Sequence, residues 1–215
     1  MYNNGVDSGV TLYKKIIGLT GMSGSGKSYV AAVFSSFGVP CINSDEVVHE
    51  LYSEKNPCTS RIAELFGPSV IDEKYSVNRR TLAEIVFSDR NKLELLNRTV
   101  HPFVTEKCMQ EAHKYEKKGC PLLVIEAPQL FESGLDSECD CIVSVCADAE
   151  LRKARIVSRD GISSSDAEKR LSNQHDDVFF RGRSDFVIEN GPGSDVRGQV
   201  MKIITSLLES DDTSL

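Results

Sequence analysis

The chemistry in this chain is concentrated between Gly21 and Ser28, Gly-Met-Ser-Gly-Ser-Gly-Lys-Ser, where Gly21, Gly26, Lys27 and Ser28 stand at the spacing Gly-x-x-x-x-Gly-Lys-Ser. That spacing suits a polyphosphate. Successive backbone N–H groups must turn inward around the anion, and side chains at Gly21, Gly24 or Gly26 would obstruct either the turn or the ligand. A helix beginning at the loop directs its positive dipole end at the phosphates, Lys27 reaches the β- and γ-phosphates, and the Ser28 hydroxyl can ligate magnesium. The residues assigned to a nucleotide are therefore Gly21, Ser23, Gly24, Ser25, Gly26, Lys27, Ser28 and Tyr29. Asp45 is a further candidate. With Ser44 as the expected N-cap, Asp45 and Glu46 fall in the first turn of a helix. There Asp45 either compensates the dipole or aims a carboxylate at the crevice where open α/β sheets bind ligands, and position leaves both readings open.

These residues need a scaffold, and the flanks of the loop supply its first part. Lys15–Thr20 reads as a short buried strand, and Val30, Val33, Phe34 and Phe37 recur at helical spacing until Gly38 stops them. Further strands are expected at Gly38–Asn43, Leu122–Glu126, Cys141–Val145 and Asp185–Ile188, with a last helix through Val196, Val200, Ile203 and Leu207. Strands alternating with helices imply an α/β fold with a five-stranded parallel sheet. Residues 44–121 exceed what one crossover requires, so they hold a helical insertion. Its pieces are Pro57–Phe66, Asn78–Phe87 and a long amphipathic segment from Asp89 to Lys118 interrupted near His101-Pro102. Residues 151–183 carry Arg152, Lys153, Arg155, Arg159, Lys169, Arg170, Arg181 and Arg183, which form either a basic lid or solvated helices with ordinary i,i+4 charge pairs. The chain is thus read as one domain: a core of 14–43, 120–147 and 184–208, an acceptor-binding insertion at 44–119 and a lid at 148–183.

Composition narrows the partners. With 215 residues, 27% charged and 40% apolar, the chain can bury a substantial core. Its net charge of −7 gives no support for nucleic acid or an anionic membrane, so any anion site must be local. Seven cysteines, without a Cys-x-x-Cys, read as reduced thiols. No apolar run reaches membrane-spanning length and the N-terminus lacks a signal-peptide core, which points to the cytosol. No obligate protein partner is evident. Residues 1–13 and 209–215 are expected to be frayed.

Along most of its length the chain resembles the dephospho-coenzyme A kinases, within the P-loop nucleoside-monophosphate-kinase-like group. The resemblance covers roughly residues 15–205 and is carried by IIGLTGMSGSGKS, GVPCINSDEVVHEL, RRTLAEIVFSD with LNRTVHPFV, EAPQLFESGL, RKARIVSRDGIS with AEKRLSNQ, and SDFVIENGPG. It implies a three-layer P-loop kinase fold and transfer of the γ-phosphoryl of ATP to the ribose 3′-hydroxyl of dephospho-coenzyme A. Lys27 and the backbone from Gly24 to Ser28 would hold the donor and Ser28 the Mg2+. Asp45 would orient the acceptor hydroxyl and take its proton, and Arg155 and Arg159 would close over the phosphates. Glu126 is either a support of the magnesium site or a structural carboxylate. The family commonly has Gly-Ile where this chain has Met22-Ser23, Asp-x-Asp where it has Asn43 and Asp45, and Pro-Leu-Leu-Phe-Glu where it has Pro128-Gln-Leu-Phe-Glu132. Asn43 cannot act as a base. Another nucleotide or small-molecule kinase of the same fold is the nearest alternative, and a non-catalytic nucleotide-binding protein a further one. A GTP switch is disfavoured, because Asn91-Lys-Leu-Glu94 lies in a helical segment and Asp195-Val-Arg-Gly198 too near the end.

Overall fold

A computed structural model describes residues 15–209. The expectation for residues 1–13 lies outside them, as does that for the tail beyond Glu209, which itself closes the last helix. Five strands, β1 (Lys15–Gly21), β2 (Cys41–Asn43), β3 (Leu122–Glu126), β4 (Cys141–Cys146) and β5 (Phe186–Glu189), form one sheet in the order β2-β3-β1-β4-β5. Every pairing is parallel. Two strands begin later than expected. Gly38, at φ 83°, and Pro40, with no N–H, delay β2 to Cys41. Asp185 stands just before β5, where its carboxylate accepts the Ile142 N–H at 2.7 Å.

Alternation along the strands divides the interior into two cores. Ile17, Leu19, Val124, Val143 and Val145 face helices α1 (Lys27–Ser36) and α9 (Val196–Glu209), packing with Val30, Phe34, Val200 and Ile203. Ile16, Leu123, Ile125 and Ile142 face the other way, against the insertion. That insertion comprises α2 (Ser44–Ser53), α3 (Pro57–Phe66), α4 (Arg79–Val86) and α5 (Arg90–Glu116), with a 3₁₀ turn at Pro68–Val70. Helices on both faces of the sheet give three layers.

The expected break near His101-Pro102 is absent: α5 is one helix of 27 residues with Pro102 inside it. Proline deletes one backbone hydrogen bond there, yet Leu96, Val100, Val104, Cys108 and Ala112 form a buried stripe at i,i+4 spacing that binds both halves to one core. Pro102 lies on the exposed side. Residues 149–182 fold as α6 (Ala149–Asp160), α7 (Ser164–Ser172) and α8 (Asp177–Gly182). Most of their cations are paired as solvated helices pair them: Lys153 with Glu150 and Glu168, Lys169 with Asp166, and Arg181 with Asp177 and Glu189.

Candidate active site

The sheet order reverses direction at β1, whose neighbours β3 and β4 lead to opposite sides, and ligands of open α/β sheets bind at such a point beyond the carboxyl ends of the strands. The loop between β1 and α1 emerges there. Gly21, Gly24 and Gly26 have φ of 140°, 77° and 92°, a run that residues with a side chain rarely adopt. At Gly24 a Cβ would also stand 2.6 Å from the Arg152 carbonyl, so α6 packs directly on the loop. Lys27 Nζ donates to the carbonyls of Gly21 at 2.9 Å and Met22 at 3.3 Å. Burial pushes its ammonium down to about 8, against the opposing pull of the Glu126 and Asp45 carboxylates, while Arg159 lowers it further. Both carboxylates and Arg159 are thus within electrostatic reach of Lys27.

Glu126 ends β3 and is only 6% exposed. Its Oε1 accepts from Ser28 Oγ at 2.7 Å and its Oε2 from Asn43 Nδ2 at 3.3 Å. Asn43 is also the N-cap of α2, its Oδ1 accepting from Asp45 N at 2.9 Å and Glu46 N at 3.4 Å. The cap is therefore Asn43 and not Ser44, which is already the first helical residue. Asn43 has both a carbonyl and an amino end to spend, and Ser44 does not. Asp45, freed of capping, is exposed and lines the cleft.

Arg155 lies differently from the other cations of α6–α8. Its Nη1 donates to the carbonyls of Gly24 and Ser25, both at 3.1 Å, and its Nη2 to that of Asn190 at 3.1 Å. Asn190, buried just after β5, donates from Nδ2 to Ser25 O at 2.7 Å. These two side chains hold the outward carbonyls of the loop. Arg159 lies one turn along α6 and pairs with Asp160 at 2.7 Å. Ser23 bonds to Gln174 through backbone and side chain. Tyr29, in the first turn of α1, is 57% exposed on the cleft wall. Sequence reasoning passed over Asn190, Gln174 and the capping role of Asn43. The position of Asn190 at the carboxyl end of a strand was the available signal; Gln174 offered none.

The cleft encloses about 1700 Å³. Its floor is the loop with Asp45 and Glu126. One wall comes from the insertion, with Phe87, Arg90, Leu93, Asn97 and His101; the other from Arg155, Arg159 and Arg170. Among the described residues no cluster of three or more His, Cys, Asp or Glu could hold a metal alone, and the buried Ser25 Oγ has no hydrogen-bond partner. One hydroxyl backed by one carboxylate, beside a loop shaped for phosphate, suits Mg2+, which keeps several waters and takes phosphate oxygens.

A family model described as dephospho-CoA kinase matches residues 15–195. The dephospho-CoA kinase of Symbiobacterium thermophilum is 37% identical over 187 residues, covering 86% of this chain and 78% of its own length. That of Chlorobaculum tepidum is 37% identical over 198 residues, covering 90% and 95%. Among solved structures, TT1252 from Thermus thermophilus superposes with a TM-score of 0.76 at 31% identity, covering 90% of this chain and 97% of its own.

Proposed function

We propose, from the premise that the chain belongs to the dephospho-CoA kinase family, that it transfers the γ-phosphoryl of ATP to the ribose 3′-hydroxyl of dephospho-coenzyme A, and that its residues divide the work as follows. Lys27 and the inward N–H groups of the glycine loop hold the β- and γ-phosphates. Asp45 accepts a hydrogen bond from the acceptor 3′-hydroxyl and orients its oxygen at the γ-phosphorus. As that oxygen bonds to phosphorus, the bond to the β–γ bridging oxygen breaks, ADP leaves, and the hydroxyl proton passes to the Asp45 carboxylate. Ser28, supported by Glu126, would hold Mg2+, which would supply positive charge against the phosphates. Arg159 faces charge developing on the transferred group.

The observation that carries this reading is the placing of Asp45 and Lys27 on one floor: a free carboxylate and a phosphate-loop ammonium within electrostatic reach of each other. The cleft volume supports two ligands, since a pocket for one drug-sized ligand measures roughly 300–1,000 Å³. Residues 44–119 form the acceptor-binding wall and 148–183 the lid. No helix of the described residues is long and apolar enough to cross a membrane, which agrees with a cytoplasmic enzyme.

The test is ADP release with dephospho-CoA beside AMP, CMP, UMP and shikimate, in parent and Asp45→Asn. Dephospho-CoA is the preferred acceptor, and Asp45→Asn lowers kcat by on the order of 10²–10⁴ with ATP affinity and melting temperature unchanged. A variant that keeps its kcat removes Asp45 from the chemistry.

A further inference from the structure

Gln174 spends both ends of its carboxamide on one residue of the phosphate loop. Its Oε1 accepts the Ser23 N–H at 2.9 Å, and its Nε2 donates to Ser23 Oγ at 2.8 Å. The pairing dictates the orientation of the amide, because the reversed group would set its NH2 against the backbone N–H. Ser23 makes the second bond possible, because its hydroxyl oxygen is the acceptor.

The place of Gln174 in the chain makes this contact more than a local one. It stands two residues beyond the end of α7, at the far root of the α6–α7 pair. The near root is attached to the same loop, through Arg155 on the carbonyls of Gly24 and Ser25 and through the Arg152 backbone against Gly24. Between the two attachments stand Arg159 and Arg170, both on the cleft and both bonded to Asp160. Arg159 reaches it at 2.7 and 2.9 Å and Arg170 at 2.6 Å. Asp160 thus joins the two arginines between the attachments.

We propose that Gln174 is a positioning residue for phosphoryl transfer: through Ser23 it docks the far root of the lid on the phosphate loop and so sets where Arg159 and Arg170 stand over the donor. The proposal rests on the cleft being the ATP site. Both bonds are exposed to solvent, so they add little to global stability. Their effect falls on the rate, where an ångström of misplacement near the reacting phosphate matters.

The test combines Gln174→Ala, Ser23→Ala and Arg159→Ala. kcat and both KM values are measured with ATP and dephospho-CoA, the affinity for a non-hydrolysable ATP analogue by calorimetry, and melting temperature alongside. Gln174→Ala lowers kcat by about tenfold and weakens the analogue by about threefold, an effect of the size that one or two hydrogen bonds produce. KM for dephospho-CoA and melting temperature stay as in the parent. Ser23→Ala, which keeps the backbone bond, is milder. Arg159→Ala loses most of its effect in the Gln174→Ala background, because the arginine is already displaced. The proposal is overturned if Gln174→Ala keeps parental kcat and analogue affinity, or if Arg159→Ala costs its full factor in that background. A parent that binds the analogue and fails to phosphorylate dephospho-CoA would instead overturn the assigned function, and the binding arm would still test the Ser23 contact.

Discussion

In the proposed division of work Lys27 carries the donor site, and its ionisation would set a limit on the working range of the enzyme. Burial brings the ammonium from its ordinary 10.5 down to about 8, so in the nucleotide-free enzyme the cation is lost as pH rises through that value. kcat/KM for ATP therefore falls above about pH 8, while kcat holds to higher pH because bound phosphates favour the charged form; a pH–rate series measures both limbs. The stability effect has the opposite sense. Below pH 8 the folded state bears the desolvated cation, and between 8 and 10.5 the unfolded chain holds a proton that the folded one lacks. Lys27→Met should abolish turnover and melt no lower than the parent at pH 7, any advantage fading by pH 10.5, as scanning calorimetry would reveal. Asn43 offers a second test. Asn43→Asp keeps a good N-cap and sets a second carboxylate 3.3 Å from the buried Glu126. Without divalent cation the variant melts several degrees lower, and Mg2+ restores it.

At the scale of elements, α6 does two jobs with residues one turn apart. Arg155 braces the loop through Gly24, Ser25 and Asn190, and Arg159 stands over the cleft beside Asp160. Arg155→Ala should accordingly raise KM for ATP and lower kcat together, since the loop loses its outer support. Arg159→Ala should lower kcat with little change in either KM, as expected of a charge engaged mainly in the transition state. Equal KM and kcat profiles for the two variants would mean that the brace has no separate role. The periodicity that located α6 also made these two residues look equivalent. Their difference lies in Asn190 and the loop carbonyls, which arrive from 35 and more than 100 residues away.

For the whole molecule, the two cores are tied to one sheet, and the cleft opens between the insertion and the α6–α7 pair. A ligand bridging these parts binds only the folded chain, so ATP at a hundred times its dissociation constant adds about 2.7 kcal/mol of stability. For a chain of this size that is a rise of about 5–10 °C in melting temperature, readable by thermal shift. Lys27→Met should remove most of it. The cysteines take no part in this. All seven are free, and burial pushes the thiols of Cys58 and Cys108 up to about 11 and of Cys139, Cys141 and Cys146 up to about 12.

The loop of the proposed donor site was legible from residues alone, because its conformation is local: Gly21 to Ser28 are contiguous, and their shape follows from glycine and a helix start. β3 and α3 were read to the residue, since each is a short run bounded by its own stop signals. α5 was not, because the penalty of Pro102 is visible in the sequence and the buried stripe that outweighs it exists only once the helix meets its core. Hydrogen-bond partners were the other gap. Asn43 as cap and support of Glu126, Asn190 on Ser25 and Gln174 on Ser23 join residues up to 165 apart. Sequence can mark such side chains as able to donate and accept; which partner satisfies them is decided only when the parallel sheet brings strand ends from five parts of the chain to one edge.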